Sequence, residues 1–323
     1  MYTKNLNYTE LLDNFLHFKR SCGYKYRSEE TILKAFHIYT QEYKRSSLGL
    51  TKEFLEEWSR LSVREGRKSL SNRVAVIREF ALYLNNLGHK VHVLRPLKNA
   101  TNKSFIPYIF SKEEIAKIFS TLDNLKNSKH NQYNSHEVYP VLFRMLYGCG
   151  LRISEALGLK IKNVDTESGK LLIDVAKYDK PRIVMMSESL KVICREYKNC
   201  YLIACDEEST FFQHKNGQKR SRSQVNNFFR QILYKVNIPY LGRGKGPYLH
   251  NLRHTYACHA FYKMHTQGVD MNVGISIISI YLGHESIKAT ERYLKLSQEI
   301  FPELRARMKQ FNSDIFIEID YEQ

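Results

Sequence analysis

No apolar run in the sequence is long enough to cross a bilayer. The most apolar segment, 138–151, is interrupted by Arg144, whereas a membrane-spanning helix needs about 20 mostly apolar residues. Residues 1–5 also lack the apolar core of a secretory signal peptide. No long amphipathic helix rich in Lys and Arg indicates docking on a membrane surface. These absences argue against a membrane protein and predict a cytosolic one.

Paired cysteine motifs are missing as well. The chain has six cysteines, and none of them lies in a Cys-x-x-Cys spacing. Reduced, partly buried thiols are therefore favoured over disulfides or a zinc site. The six positions are Cys22, Cys149, Cys194, Cys200, Cys205 and Cys258.

Acidic residues are few relative to basic ones. The chain has 33 Asp and Glu against 50 Lys and Arg, which gives a formal net charge of +17. Such an excess favours a polyanion as partner, with DNA or RNA first and an anionic membrane second. The 323 residues, with 43% hydrophobic and 12% aromatic content, predict a globular protein of two domains.

A nucleotide-binding P-loop is also absent. Segment 241–247 is rich in glycine and basic residues, but it does not fit the pattern Gly-x-x-x-x-Gly-Lys-Ser/Thr. We therefore interpret this segment, which contains Arg243 and Lys245, as a basic loop.

Residues 1–98 have the periodicity of a small helical domain. Apolar residues repeat at helical spacing from Leu11 onward. Capping residues predict three further helices, which begin at Ser28, at Thr51 and near Ser69. Basic residues cluster along these helices, and as a group they indicate phosphate contacts, which give salt-dependent affinity without choice of bases.

Residues 99–108 are predicted to form a linker. Two prolines, Pro96 and Pro107, bracket this polar and basic stretch. Ser111, followed by two glutamates, is a capping signal for the first helix of a second domain, 109–323.

The segment around residue 150 predicts a site for an anion. A polar loop, 126–137, and an apolar helix, 139–147, precede it. Gly150 allows close approach of the backbone, and Arg152 begins a helix whose N-terminal amides can face the same anion. Glu155 could support this site, or it could form a helix-surface salt bridge that contributes little.

Two strand-like runs, 171–175 and 182–186, flank a predicted turn at 177–181. The turn carries Lys177 and Lys180. By composition alone, a lysine in such a turn needs no function.

Segment 250–293 carries four candidate site residues, namely His250, Arg253, His284 and Tyr293. His250 and Arg253 share a helix face, so a planar bidentate donor for phosphate lies beside a histidine. His284 follows a Leu-Gly turn, and Tyr293 lies nine positions further on. Taken alone, a His-x-x-Arg pair is usually a solvated helix face, and one tyrosine among 22 usually packs against its neighbours.

A metal site is the competing interpretation of the same helix. His250 and His254 have the i, i+4 spacing that zinc sites use. The residues between them lack the glutamate base of zinc hydrolases, and Arg253 would repel a cation. We therefore expect no metal here.

The order and spacing of these residues resemble the tyrosine recombinase (phage integrase) family. The resemblance rests on the string Gly-Leu-Arg-Ile-Ser-Glu-Ala-Leu at 150–157 and on 250–294. It implies a fold that is mainly α with a small β-sheet. The implied domains are an N-terminal helical core-binding (SAM-like) domain, 1–98, and a C-terminal α+β catalytic domain, 109–323.

The resemblance also implies a reaction at a DNA phosphodiester. Tyr293 would be the nucleophile that forms a covalent 3′-phosphotyrosine, and a lysine at the hairpin tip would be the general acid. Lys180 is the alternative to Lys177 for that role. No cofactor is implied, and no ATP is needed because the covalent link retains the bond energy. The implied catalytic residues are Arg152, Lys177, His250, Arg253, His284 and Tyr293, supported by Glu155.

Double-stranded DNA carrying specific recombination sites is the implied partner, bound by a homo-tetramer. The acidic, strand-like tail 314–320 is expected to dock on a neighbouring protomer or to pack on its own subunit. Candidate DNA contacts are basic residues of both domains and the linker, namely Lys25, Arg27, Arg67, Lys68, Arg73, Arg78, Lys98, Lys103, Lys215, Lys219, Arg220, Arg222, Arg243 and Lys245.

The sequence begins directly at the core-binding domain, which predicts a simple recombinase of the Xer-like or transposon type. The expected setting is the bacterial cytoplasm, in association with the nucleoid. The expected function is integration, excision or transposition of a mobile element. Xer-type dimer resolution, relaxation like that of a type IB topoisomerase, and DNA binding by a regulator without catalysis are the alternatives.

Overall fold

The structure is a computed structural model. It describes residues 8–42, 50–63, 65–97, 107–125, 134–174, 181–242, 246–284, 286–287, 290–293 and 296. The chain divides into two compact units, Met1–Phe105 and Ile106–Gln323. None of the helices within these ranges combines the length and the apolar character that a membrane span requires.

In its described residues, the first unit contains four helices, as the periodicity predicts: α1 (Tyr8–Ser21), α2 (Arg27–Glu42), α3 (Lys52–Trp58) and α4 (Arg67–Asn86). Thr51 caps α3 by accepting a hydrogen bond from the amide of Phe54. Helices α2 and α4 begin one and two residues before their predicted starts, and α4 follows the extended Gly66 directly. The aromatic rings of Phe15, Phe36 and Phe80 are fully buried among these helices.

The second unit begins with α5 (Lys112–Asp123), α6 (Ser135–Gly148) and α7 (Ile153–Gly158). Ser111 forms the predicted capping box with Glu114 at the start of α5. The loop predicted over 126–137 is wrong at its end, because residues 135–137 form the first turn of α6 and bury Ser135. Residues 126–133 lie outside the described part of the chain.

A small antiparallel sheet follows, with the order β1 (Val164–Asp165), β2 (Lys170–Ile173) and β3 (Arg182–Met185). Leu171 pairs with Val184, and both side chains are buried on the core face. Strands β2 and β3 correspond to the two predicted runs. The two-residue strand β1 is too short for a periodic pattern, and the sequence analysis did not predict it.

Four helices complete the described part of the second unit: α8 (Glu188–Tyr201), α9 (Arg222–Lys235), α10 (Asn251–Thr266) and α11 (Met271–Leu282). Helix α6 packs against α5, α8 and α10. The core around it contains Phe143, Phe211 and Phe229, each at most 1% exposed. The mainly helical fold with one small sheet confirms the predicted fold class.

Candidate active site

The turn between α6 and α7 brings three parts of the second unit together. Gly150 has a φ of +59°, and a Cβ at this position would lie 2.6 Å from Cδ1 of Tyr256 and 2.8 Å from Cδ2 of Leu282. Only glycine leaves room for α10 and the end of α11 to approach the turn this closely. The turn therefore places Arg152, the N-cap residue of α7, beside both helices.

Arg253 is a buried residue of α10 that connects this helix to the turn and to the end of α11 by hydrogen bonds. It lies on α10 and is 2% exposed. Its Nη1 donates to the carbonyl of Gly150 at 2.6 Å, and its Nη2 donates to the carbonyl of Leu282 at 2.7 Å. Burial, together with the charge of Arg152, lowers the pKa of Arg253 to about 10. The guanidinium therefore remains charged at neutral pH.

Glu155 is the carboxylate at the centre of an arginine cluster. Its side chain is 1% exposed and accepts from Nη1 of Arg152 at 2.7 Å and from Nη2 of Arg182 at 2.8 Å. Nη1 of Arg253 lies 4.0 Å from the same carboxylate. Burial alone would raise the pKa of Glu155, but the hydrogen bonds from Arg182 and Arg152 outweigh it and the pKa is lowered. Three guanidinium groups around one carboxylate leave an excess of positive charge, which suits a phosphate.

Arg182 is a residue whose importance the sequence analysis missed. It begins β3, and its Nε donates to the carbonyl of Tyr281 at 3.0 Å while both Nη atoms reach Glu155. It thereby ties the hairpin strand to α7 and to the end of α11. The sequence analysis assigned Arg182 only to a strand, although a charged residue at the start of an apolar strand was a signal for a buried ion pair.

His284 and His250 are the two predicted histidines of the site. His284 follows Gly283, which caps α11 at a φ of +63°, and its Nδ1 lies 2.8 Å from Oγ1 of Thr290. His250 is exposed at the start of α10. Loss of hydration within the protein, and then the charges of Arg253 and Arg152, lower the pKa of each histidine to about 4. Both rings are neutral at pH 7 in the absence of a bound anion.

Tyr293 is 4% exposed and lies between two histidines. Its Oη is 2.9 Å from Nδ1 of His254. The ring of His284 is nearly parallel to it, at 20° and 5.9 Å between centroids. The sequence analysis named His250 and His284 as catalytic residues and considered His254 only as a metal ligand. The contact was not predictable from spacing, because 39 positions separate His254 and Tyr293.

The structure thus brings together Arg152, His250, Arg253, His284 and Tyr293. Lys177 and its alternative Lys180 lie outside the described residues. Within the described part of the chain, no group of three or more His, Cys, Asp or Glu side chains is arranged to hold a metal ion.

The candidate DNA contacts differ widely in exposure. Arg220 is 4% exposed and its Nη2 donates to Asn134 and to the carbonyl of Gln213, so its assignment as a DNA contact is wrong. Arg73 is half-buried and pairs with Glu65, which makes it a structural residue of the first unit. Arg78 is also half-buried. The exposed candidates are Lys25, Arg27, Arg67, Lys68, Lys215, Lys219 and Arg222, whereas Lys98, Lys103, Arg243 and Lys245 lie outside the described residues.

Comparison with protein families and curated proteins gives consistent matches. The model of the phage integrase family matches residues 109–299. A putative integrase/recombinase, y4rB, of Sinorhizobium fredii is 24% identical over 309 residues, covering 94% of this chain and 97% of the relative. The tyrosine recombinase XerA of Pyrococcus horikoshii is 28% identical over 201 residues, covering 62% of this chain and 61% of the relative.

Solved structures share the fold at low sequence identity. The Tn1549 transposon integrase in complex with transposon right-end DNA has a TM-score of 0.63 at 15% identity, over 95% of this chain and 100% of that chain. The XerH recombinase bound to a palindromic difH substrate has a TM-score of 0.61 at 21% identity. The match covers 88% of this chain and 78% of that chain. A lambda integrase dimer bound to a core site has a TM-score of 0.61 at 15% identity. The match covers 88% of this chain and 76% of that chain.

Proposed function

The chain belongs to the phage integrase family, and from this premise we propose that it is a site-specific tyrosine recombinase that integrates, excises or transposes a mobile element. Tyrosine recombinases are enzymes that cleave and rejoin DNA, and this chain is one of them. The similarity to a putative integrase/recombinase over nearly the full length of both chains supports the mobile-element role. The similarity to XerA and XerC proteins makes resolution of chromosome dimers the second candidate.

The observation that carries the proposal is the convergence of an arginine pair, a histidine and a tyrosine in one site. Arg152 and Arg253 surround Glu155, and Arg152 donates from Nη2 to the carbonyl of Gly283 at 3.1 Å, immediately before His284. Tyr293 stacks on the ring of that histidine. A phosphate held by the arginines would therefore lie close to a tyrosine of the same chain.

These side chains support a transesterification. Oη of Tyr293 attacks the scissile phosphorus, the bond to the 5′ oxygen breaks, and a 3′-phosphotyrosine forms. Arg152 and Arg253 neutralise the non-bridging oxygens as charge develops, and loss of one such donor reduces the rate by about 10²–10³-fold in comparable sites. Lys177 protonates the leaving oxygen. The phosphodiester energy is retained in the protein–DNA bond, so the cycle consumes no ATP.

The proposed assembly is a homo-tetramer on two double-stranded DNA sites. Exposed basic side chains on both units, among them Arg67, Lys68, Lys215 and Arg222, support backbone contacts. The tail 314–320 is proposed to dock on the neighbouring protomer. That segment lies outside the described residues.

A nicked suicide substrate tests the proposed chemistry. The duplex carries the sequence that the protein itself selects from a random pool, and the reaction contains EDTA. Wild-type protein is expected to form a protease-sensitive covalent adduct, whereas Tyr293→Phe binds the duplex equally well and forms none. An adduct without recombinant product on a two-site substrate would instead indicate relaxation alone. Absence of an adduct on bound DNA would point to a regulator and would overturn the proposal.

A further inference from the structure

We propose that His254 is the proton acceptor for Tyr293 during DNA cleavage and the proton donor to the same oxygen during rejoining. This inference rests on the proposed function and concerns a residue that the sequence analysis considered only as a metal ligand.

The geometry of the pair carries the proposal. Nδ1 of His254 lies 2.9 Å from Oη of Tyr293, within the range for a hydroxyl that donates to an imidazole nitrogen. His254 is 8% exposed and Tyr293 is 4% exposed. Bulk water therefore has little access to the hydroxyl, and a protein group must take its proton.

The two other histidines, His284 and His250, do not direct a ring nitrogen at the Tyr293 hydroxyl. His284 presents the face of its ring to Tyr293, and its Nδ1 is engaged by the hydroxyl of Thr290 at 2.8 Å. His250 meets His254 edge to face, with 4.7 Å between ring centroids. Its exposed position leaves it open to a phosphate oxygen. Among the three, His254 is the residue whose ring nitrogen faces the attacking oxygen.

The protonation states agree with the starting position of the proton, on Tyr293 and not on His254. Burial raises the pKa of Tyr293, so the phenol keeps its proton. Burial, followed by the neighbouring His250 and Arg292, lowers the pKa of His254 to about 3, so the imidazole is neutral. The Tyr293 hydroxyl therefore donates to the lone pair of Nδ1, and the remaining ring proton lies on Nε2.

The proton and electron balance of both steps closes with His254 and the proposed general acid, Lys177. In cleavage, the O–H bond of Tyr293 breaks, an N–H bond forms on His254, and the oxygen lone pair forms the bond to phosphorus. The 5′ oxygen leaves with its electron pair and takes a proton from Lys177. In rejoining, the 5′ hydroxyl returns its proton to Lys177 as its oxygen forms the bond to phosphorus. The bond between phosphorus and the tyrosine oxygen breaks, and the imidazolium of His254 returns its proton to that oxygen.

Bound DNA increases the basicity of His254. Burial lowers the pKa of His254 most. The neighbouring groups that lower it further are His250 and Arg253 on α10 and His284 and Arg292 after α11, and of these the two arginines carry a positive charge at pH 7. A phosphate docked against Arg253 adds a negative charge that opposes this positive field, so the imidazolium is stabilised only with substrate in place. The free protein therefore keeps Tyr293 protonated and unreactive, and the correct phosphate activates it.

His254→Asn tests the base function with little change in shape. The asparagine carbonyl oxygen can accept the Tyr293 hydrogen bond but cannot take its proton. In single-turnover cleavage of the nicked duplex, we expect adduct formation to slow by about 10²–10⁴-fold, with DNA affinity and melting temperature unchanged. His259→Asn is the matched control. His259 lies on the same helix, and its Nδ1 is also 2.9 Å from a tyrosine oxygen, Oη of Tyr147.

Two rescue measurements separate a base from a purely structural residue. Placing 3,5-difluorotyrosine at position 293 lowers the pKa of the phenol and should restore much of the rate lost in His254→Asn. Added imidazole should likewise restore cleavage by His254→Ala, and this second arm decides the matter if the Asn variant does not fold.

The outcomes distinguish this inference from the proposed function. A His254→Asn rate equal to that of His259→Asn, or a slow variant that neither rescue improves, would overturn the role of His254 while leaving the recombinase intact. An absence of adduct with wild-type protein would overturn the proposed function itself.

Discussion

At the scale of single residues, Glu155 explains how the three arginines of the site can lie so close together. Three guanidinium groups would repel one another if they were held this close without a counter-charge. The carboxylate of Glu155 binds Arg152 and Arg182 directly and lies 4.0 Å from Arg253. Its burial is costly by itself, so the carboxylate is stable only while these donors surround it. Glu155 and the arginines therefore depend on each other.

Glu155→Gln should destabilise the second unit strongly. The amide keeps the shape but leaves buried positive charges without a counter-charge, which costs about 3–5 kcal/mol in comparable buried pairs. The free energy of unfolding, measured with urea, is the test. Glu208→Gln is the control, because Glu208 pairs with Lys160 and Lys162 on the exposed surface, where a pair contributes little.

The contribution of Glu155 to the free energy of unfolding depends on pH with a defined sign. The pKa of Glu155 is lowered in the folded protein, so its stabilising contribution is complete above the pKa of an unfolded glutamate, about 4.3. That contribution is lost as the pH falls toward the lower folded-state pKa. The difference in stability between wild type and Glu155→Gln should therefore shrink on acidification below about pH 4.3. A difference that grows there would contradict the ionised state assigned to Glu155.

Sequence motifs could identify the residues proposed to contact the substrate, but not the pairings of Arg182 and His254. Arg152, Arg253 and Tyr293 lie in strings whose residue types suit phosphate chemistry. Arg182 and His254 act through partners 27 and 39 positions away. Such pairings arise from the packing of the hairpin and of α10, and no local spacing encodes them.

At the scale of elements, the short turn between α6 and α7 decides where three helices meet. The carbonyl of Gly150 accepts from Arg253, and its missing side chain admits Tyr256 and Leu282. The turn therefore holds Arg253 in place and also allows the neighbouring helices to pack closely. Its sequence requirement comes from both the backbone conformation and the space around it.

Gly150→Ala should destabilise the protein and weaken the site. Alanine at a φ of +59° is strained, and its Cβ would overlap the Tyr256 ring at 2.6 Å. Strain and overpacking together cost about 2–4 kcal/mol. Gly158→Ala is the control on the adjoining helix, since a Cβ there meets no atom within 4 Å. Urea denaturation should show a loss for Gly150→Ala alone, and equal losses would contradict this account.

A recognised cap or a clear period made several elements predictable, but a cap alone was not sufficient, because α11 is capped by Asp270 and was not predicted. The capping box at Ser111 and the periodicity of the first unit placed their helices to within about two residues, the usual margin for helix ends. Helix α11 lacks a polar face: Val273, Ile277 and Ile280 are exposed apolar residues on it. An apolar face toward solvent removes the amphipathic signal by which a helix is recognised.

At the scale of the whole molecule, the net charge of +17 predicts binding that depends strongly on salt. Each phosphate contact releases condensed counterions and contributes about 0.9 to the slope of log K against log salt. Arg67 and Lys68 are exposed at the start of α4, whereas Arg73 and Arg220 are engaged within the protein. The exposed pair is therefore expected to contact phosphates.

Replacing both Arg67 and Lys68 by glutamine should reduce the salt slope by up to about 1.8, which is two contacts at about 0.9 each. Affinity at low salt should fall by a similar factor for selected and unrelated duplexes, because phosphate contacts carry no base information. Lys52→Gln is the control, since Lys52 is exposed on α3 and lies 3.9 Å from Glu56. Titrations over a range of salt concentrations measure both quantities. A loss of affinity confined to the selected duplex, with the slope unchanged, would show that Arg67 and Lys68 read bases and do not bind the backbone.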